Sequence, residues 1–442
     1  MSGARVPPEG DAAGAPARAG LLRRAVDVRA GELGALALSF AYFFALLCGY
    51  YVLRPIRDEM GISRGVDKLP VLFTGTFVAM AVASPLFGWL ASRWPRHRLI
   101  TWAYHFFALD LVLFCALWKL ELGKGWVPFA FYVWAAVYNL FVTSVFWSFM
   151  TDVFTSEQGK RLFGFISAGG GLGALAGPLV TSWLARPLGG ANLLLASALL
   201  LEVSVACVVL LERWARAGAA RRGAAATADR EQAVGGTVWS GIRPVLASPY
   251  LLASALYILL LTVANTFLYF QQAHLVAAAT SDRGARTALF ARIDLVVNVC
   301  TLLLQTLVTG QVLKRLGVAV GLGIAPALTA AGYAVLGVSP ALVVLAPFQG
   351  LRRAAQYAIL RPSRELLFTV VSREERYKSK NFIDTVVFRG GDMLSGWLYA
   401  GLAGLGLGVA GTSWVSVPLS LVWLALGVYL GREQRRRAGA AG

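Results

Sequence analysis

Leu251-Leu-Ala-Ser-Ala-Leu-Tyr-Ile-Leu-Leu-Leu-Thr-Val-Ala-Asn-Thr-Phe-Leu-Tyr-Phe270 contains no charged side chain. A run of ~20 apolar residues is long enough to cross the hydrocarbon of a bilayer as a helix. In hydrocarbon the backbone must satisfy its own hydrogen bonds, so spans are helices or closed barrels. Barrel strands alternate in polarity at every second residue, and this run does not. Read outward from it, the chain holds eleven further apolar segments, at 34–56, 69–91, 98–118, 126–151, 163–185, 190–212, 287–313, 318–337, 341–370, 381–405 and 409–431, with this one extending over 249–275. The fold class predicted is an all-α polytopic membrane protein with twelve transmembrane helices in two six-helix halves. The 57% hydrophobic content agrees, since soluble domains hold about 45–50%.

Residues 1–33 are rich in Ala, Gly, Pro and Arg, lack the apolar core of a cleavable signal, and read as a disordered cytoplasmic arm. The N-terminal half is expected at 34–212, a basic cytoplasmic linker at 213–248, the C-terminal half at 249–431 and a cytoplasmic tail at 432–442. A net charge of +18 could suggest nucleic acid, but cytoplasmic loops of membrane proteins collect Lys and Arg. With the N-terminus inside, the inside arm, loops and tail carry 26 of the 41 Lys and Arg residues and the outside loops 7, namely Arg64, Lys68, Lys119, Lys124, Arg186, Arg283 and Arg286. That asymmetry predicts a multi-pass protein of the inner membrane with both termini cytoplasmic, and an even number of spans. The partners expected are the lipid bilayer and a small-molecule substrate, with no nucleic-acid polymer. Cys48, Cys115, Cys207 and Cys300 stand singly in apolar runs and read as packing residues. No metal or cofactor is expected.

The halves carry a weak internal likeness. Gly88-x-Leu-Ala-Ser-Arg93-x-Pro-Arg96-His-Arg98 follows span 2, and Gly310-x-x-Leu-Lys314-Arg315-x-Gly317 follows span 8. Ser156-Glu-Gln-Gly-Lys160-Arg161 precedes a helix with Gly169-Gly170-Gly171, and Ser372 through Lys380 precedes one with Gly390-Gly391. The first pair of loops resembles degenerate copies of the major facilitator superfamily signature, with Ser92 and Lys314 in place of the usual Asp. The resemblance runs from about residue 34 to 431. It implies a secondary transporter, usually monomeric, whose halves rock about a central site. Arg93, Arg96, Lys314 and Arg315 then belong to gating loops.

An ionisable residue inside a span is a functional hypothesis by default. In span 1, Tyr50, Arg54, Arg57 and Asp58 share a helix face, and Pro55 is expected to kink or end the helix. In span 10, Arg352 and Arg353 fall near mid-depth. Arg353, Tyr357, Arg361 and Arg364 share a face, and Arg361, Arg364 and Glu365 read as a gate or salt-bridge cluster. Span 11 carries Asp384, Arg389 and Asp392, the last two spaced to pair, and span 8 carries Arg292, Asp294 and Asn298. Asp110 in span 3 reads as a buried carboxylate paired with an Arg or as a proton carrier. Arginines outnumber acids among these groups, and guanidinium binds phosphate and carboxylate in a bidentate fork. The candidate substrate residues are therefore Tyr50, Arg54, Arg57, Arg292, Arg352, Arg353, Tyr357 and Arg389. Candidate coupling or salt-bridge residues are Asp58, Asp110, Asp294, Asp384 and Asp392.

Tyr51-Val-Leu-Arg54-Pro55-Ile-Arg57-Asp58 resembles the first-helix motif of the bacterial and plastid ATP/ADP translocases. Lys380-Asn381-Phe-Ile-Asp384-Thr-Val-Val, followed by Arg389-Gly-Gly-Asp392, resembles their late Lys-x-x-x-Asp stretch. That likeness implies nucleotide exchange. The function expected is transport of a small organic anion, phosphorylated or nucleotide-like, by alternating access. The alternative is a proton-coupled exporter of lipophilic molecules using Asp110 or Asp58. An enzyme is not expected, because no Walker A motif, nucleophile elbow or zinc cluster is present and His97, His105 and His274 are scattered. Gly169-Gly170-Gly171-x-Gly173 has the flavour of a phosphate loop but lies in an apolar helix, where tight packing is the simpler role.

Overall fold

A computed structural model describes residues 29, 31–94, 96–222, 241–307 and 309–440. Among them there is no strand. The helices are α1 Leu33–Ile62, α2 Leu69–Arg93, α3 Arg96–Lys119 and α4 Val127–Val153. Ser156–Arg222 then runs as one helical stretch folded at Gly189, whose φ of 73° suits glycine, giving α5 (156–188) and α6 (190–222). After a short helix Ile242–Ala247 come α7 Pro249–Ala279, α8 Arg283–Leu307 and α9 Thr309–Val338, the last bent at Gly317. α10 joins Leu342–Ala355, a π-helical turn Gln356–Leu360, Arg361–Leu367 and a final 3-10 turn Phe368–Val370. α11 joins Arg373–Phe382, a π-helical turn Ile383–Val387 and Phe388–Gly404. α12 is Val409–Ala440. Nine stretches are long and apolar enough to cross a membrane, one of them containing both α5 and α6. α10 and α11, the two spans with internal charges, complete twelve.

Several boundaries differ from expectation. Pro55 does not end α1, which continues to Ile62 with Ile56 and Met60 buried. A proline removes one backbone donor, and packing on both sides holds the helix through it. α6 extends to Arg222, so the expected linker begins as helix, and 223–240 lie outside the described residues. The expected tail is helical to Ala440. Most of the expected arm lies outside the described residues, but its last part is engaged: Arg29 pairs with Glu157 at 2.7 Å and Glu32 with Arg161 at 3.1 Å.

Two buried clusters divide the molecule. The first, rich in aromatic rings such as Tyr42, Tyr104, Phe146 and Tyr138, fills the interior of α1 and α3 to α6. The second fills the interior of α7 to α12 and takes in Ile62, Leu69, Leu72 and Tyr132 from the first half. Large apolar side chains such as Trp102, Leu109, Leu113, Trp183 and Leu199 point outward and are more than half exposed, the disposition of a lipid-facing surface.

The glycines of α5 are packing devices, as the sequence suggested. A Cβ at Gly173 would stand 2.4 Å from the carbonyl oxygen of Phe44, and one at Gly169 would stand 2.5 Å from that of Phe40. Backbone meets backbone here, so α1 and α5 cannot yield by rotating a side chain. Gly173→Val is expected to lower stability by ~1–3 kcal/mol through overpacking. It should reduce the melting temperature of purified protein even where transport residues are untouched. An unchanged melting temperature would contradict this contact.

Candidate functional site

The charged face of α1 meets α8 and α10 in the interior, about eight residues, or ~12 Å, from the end of α1 remote from the chain termini. Asp294 of α8, only 3% exposed, lies between two arginines. Its Oδ1 is 3.4 Å from Arg54 in the first half and accepts a hydrogen bond from Arg353 in the second at 3.0 Å. Its Oδ2 is buried without a partner. Arg352 beside it is also 3% exposed, yet donates only to side-chain amides: Asn265 of α7 at 2.8 Å and Gln356 at 3.5 Å. Its Nε has no partner, and among the described residues it makes no ion pair. One turn on from Arg54, Arg57 grips Asp58 at 2.7 Å and lies over the Tyr132 ring at 4.8 Å. Arg389 stands 4.0 Å from Asp392, which accepts from Thr266 at 3.4 Å. Tyr50 and Tyr51 are in edge contact, Arg54 faces the Tyr51 ring at 5.8 Å, and Tyr357 sits among Arg353, Arg54 and Arg361. Four arginines of α1 and α10 thus lie with Asp58 and Asp294, while Arg389 and Asp392 pair on α11 beside Thr266 of α7.

The remaining candidates lie elsewhere. Arg292 is exposed on the opposite face of α8 from Asp294. Asp110 is half-buried and accepts from the Trp134 indole at 2.8 Å; its observed partner is this ring and not an arginine. The shared face expected for α10 is interrupted. The π-helical turn Gln356–Leu360 inserts a residue into the helical register, leaving Arg361 exposed and turning Arg364 toward Asp384 of α11 at 2.9 Å. Lys380 pairs with Glu365 alongside. These four form a salt-bridge cluster tying α10 to α11 within one half. Arg93 is exposed over the Trp89 ring at 4.7 Å, while the side chains of Arg96, Lys314 and Arg315 lie outside the described residues.

The sequence reading missed the groups that close the remote end. Glu59, with no exposed side-chain surface, accepts from Arg283 at 3.0 and 3.3 Å, and Arg283 lies on the Trp118 ring at 4.9 Å. Tyr269 of α7 donates to Asp58 at 3.0 Å and receives a bond from Tyr132 at 3.2 Å. Trp397 of α11 donates to Thr74 of α2 at 3.0 Å, and Phe73 contacts both Tyr269 and Phe270. Each link joins the two halves. These links fall between the arginine level and the remote end, and one turn nearer the termini Asn298 of α8 donates to the Ala174 carbonyl of α5 at 2.6 Å, a further bond between the halves. The halves are joined at the remote end. Two concavities of about 550 and 530 Å³ flank the Glu59–Arg283 pair on its outer side, lined by Arg64, Lys124, Arg186 and Arg286 among others.

Residues 33–349 match the Major Facilitator Superfamily. The chain belongs to that superfamily. It is a transporter of major facilitator type, with the multi-pass membrane fold of that family. The ADP,ATP carrier protein 2 of Chlamydia pneumoniae is 22% identical over 91% of this chain and 89% of its own length. Among solved structures, a variant of the nucleoside transporter NupG superposes with a TM-score of 0.65 at 13% identity, covering 91% of this chain and 99% of its own. A bacterial homologue of the human lysosomal transporter Spinster, inward-facing and unoccupied, superposes with a TM-score of 0.61 at 15% identity, covering 93% and 99%.

Proposed function

We propose that this major facilitator protein exchanges a phosphorylated, nucleotide-like organic anion by alternating access, working as a monomer in an inner membrane with both termini cytoplasmic. The observation that carries the reading is Arg352, a buried cation held by amides alone. A buried charge is costly unless paired, and four arginines against two aspartates leave room for about two negative charges. Guanidinium forks suit phosphate. Tyr50, Tyr51 and Tyr357 beside them offer ring faces to a base. The name of the carrier relative agrees with such a substrate. With termini inside, the Glu59–Arg283 pair and the contacts around it join the halves on the outer side.

An anion that neutralises Arg352 would ease the occluded state, so a loaded carrier crosses more readily than an empty one and exchange is the natural mode. The exporter reading has less support, because Asp110 stands apart from the cluster and Asp58 is committed to Arg57 and Tyr269. Proteoliposomes should take up labelled ADP when loaded with ATP, and take up little when empty. Absence of uptake with nucleotides and with sugar phosphates inside, together with pH-driven extrusion of lipophilic dyes, would sink the proposal.

A further inference from the structure

We propose that Asp294 is the resident counter-anion of the transport site, occupying the place of a substrate phosphoryl group in the empty carrier and displaced by it on binding. This rests on the anion-transport reading above. Three features of the geometry carry it. First, a single oxygen, Oδ1, serves both Arg54 and Arg353, one from each half. Second, Oδ2 is buried and unpartnered, so the bridge is half made. Arginine–carboxylate pairs built for stability use both oxygens in a fork, and a partly satisfied buried carboxylate forfeits part of what its burial costs. Third, each arginine reaches Asp294 through one terminal nitrogen, Nη1, in these contacts. A phosphoryl group, with three oxygens, offers two converging guanidinium groups more acceptors than Oδ1 does.

The consequence is a competition. While Asp294 holds Arg54 and Arg353, the empty site carries less uncompensated charge than its arginines imply. An incoming anion gains their full donor sets only by releasing the carboxylate. Binding is thereby weakened, and release on the other side is speeded, because Asp294 retakes its place as the anion leaves. Affinity is given up for turnover, and Arg352, with no acid partner among the described residues, remains for the substrate to neutralise.

The test is ATP binding by calorimetry on purified wild type, Asp294→Asn and Asp294→Glu, with ADP exchange in proteoliposomes alongside. Asp294→Asn should bind ATP at least tenfold more tightly than wild type, about 1.4 kcal/mol, and exchange more slowly because release is slower. A merely structural bridge predicts the opposite sign, since its loss loosens the site and weakens binding. Asp294→Glu keeps the competing charge and should bind ATP no more tightly than wild type. Unchanged or weaker ATP binding by Asp294→Asn overturns the proposal and leaves the anion reading standing. If Asp294→Asn does not fold, tenfold tighter binding by Asp294→Glu overturns it equally. Failure of the wild type itself to bind ATP, ADP or glucose 6-phosphate refutes the anion reading on which it rests.

Discussion

Arg352→Gln is expected to reduce ADP exchange by roughly 100-fold or more, while the protein remains folded with a melting temperature equal to or above that of the wild type. The two halves of this expectation have one cause. Arg352 is a buried guanidinium facing Asn265 and Gln356, with no ion pair among the described residues. Removing one member of a buried, hydrogen-bonded charge pair costs ~2–5 kcal/mol of binding, and under the proposed function Arg352 becomes such a member when the anion binds. Without substrate it is a desolvated charge held by neutral groups, so an amide of similar length relieves the empty protein. Arg353→Gln should differ, since it leaves Asp294 with Arg54 alone and should lower stability as well as exchange. Initial rates in proteoliposomes and melting curves of the same preparations separate the two cases. Near-wild-type exchange by Arg352→Gln would remove Arg352 from the site.

The twelve spans were legible because hydrophobic run length is a one-dimensional property. The run Leu251–Phe270 announces its helix without any knowledge of neighbours, and α7 contains it whole. The arginines of α1 and α10 were legible for a related reason: a charge in such a run has few physical explanations. What escaped depended on three-dimensional register. The expected face through Arg353 and Arg361 assumed an unbroken α-helix, and one π-helical turn separates the two arginines. Asn265 is a lone amide in an apolar run, and nothing in the sequence places it against Arg352, 87 residues away. Asp110 announced a partner but not that the partner would be an indole. Glu59 adjoins the noticed Asp58, yet a helix presumed to end near Pro55 leaves it outside, and Arg283 counted only as one more loop charge.

That Glu59–Arg283 pair sets the second large effect. The Glu59 side chain has no exposed surface, whereas that of Arg283 is 48% exposed. Removing the arginine strands a buried carboxylate between the halves, a defect that costs ~3–5 kcal/mol when both partners are buried. Water already screens Arg283, so ~2–3 kcal/mol is the fairer scale here. The penalty falls on the conformer closed at the remote end, because opening that end lets water reach Glu59. Arg283→Ala should therefore shift the carrier toward opening there by roughly 30- to 150-fold. Glu59→Gln should shift it less, since a neutral amide tolerates burial better than a lone charge. Spin labels at Lys124→Cys and Ser281→Cys, both on the rim of the outer concavity, report the separation of the halves once the four native cysteines are replaced. Arg283→Ala should lengthen that distance in most molecules without ligand, and Glu59→Gln in fewer. Equal distributions in wild type and Arg283→Ala would mean that the ring contacts of Phe73, Tyr269 and Phe270 hold the remote end closed by themselves. In that case the substrate's own binding energy would have to separate an apolar seam, and the ion pair would be a spectator to the cycle.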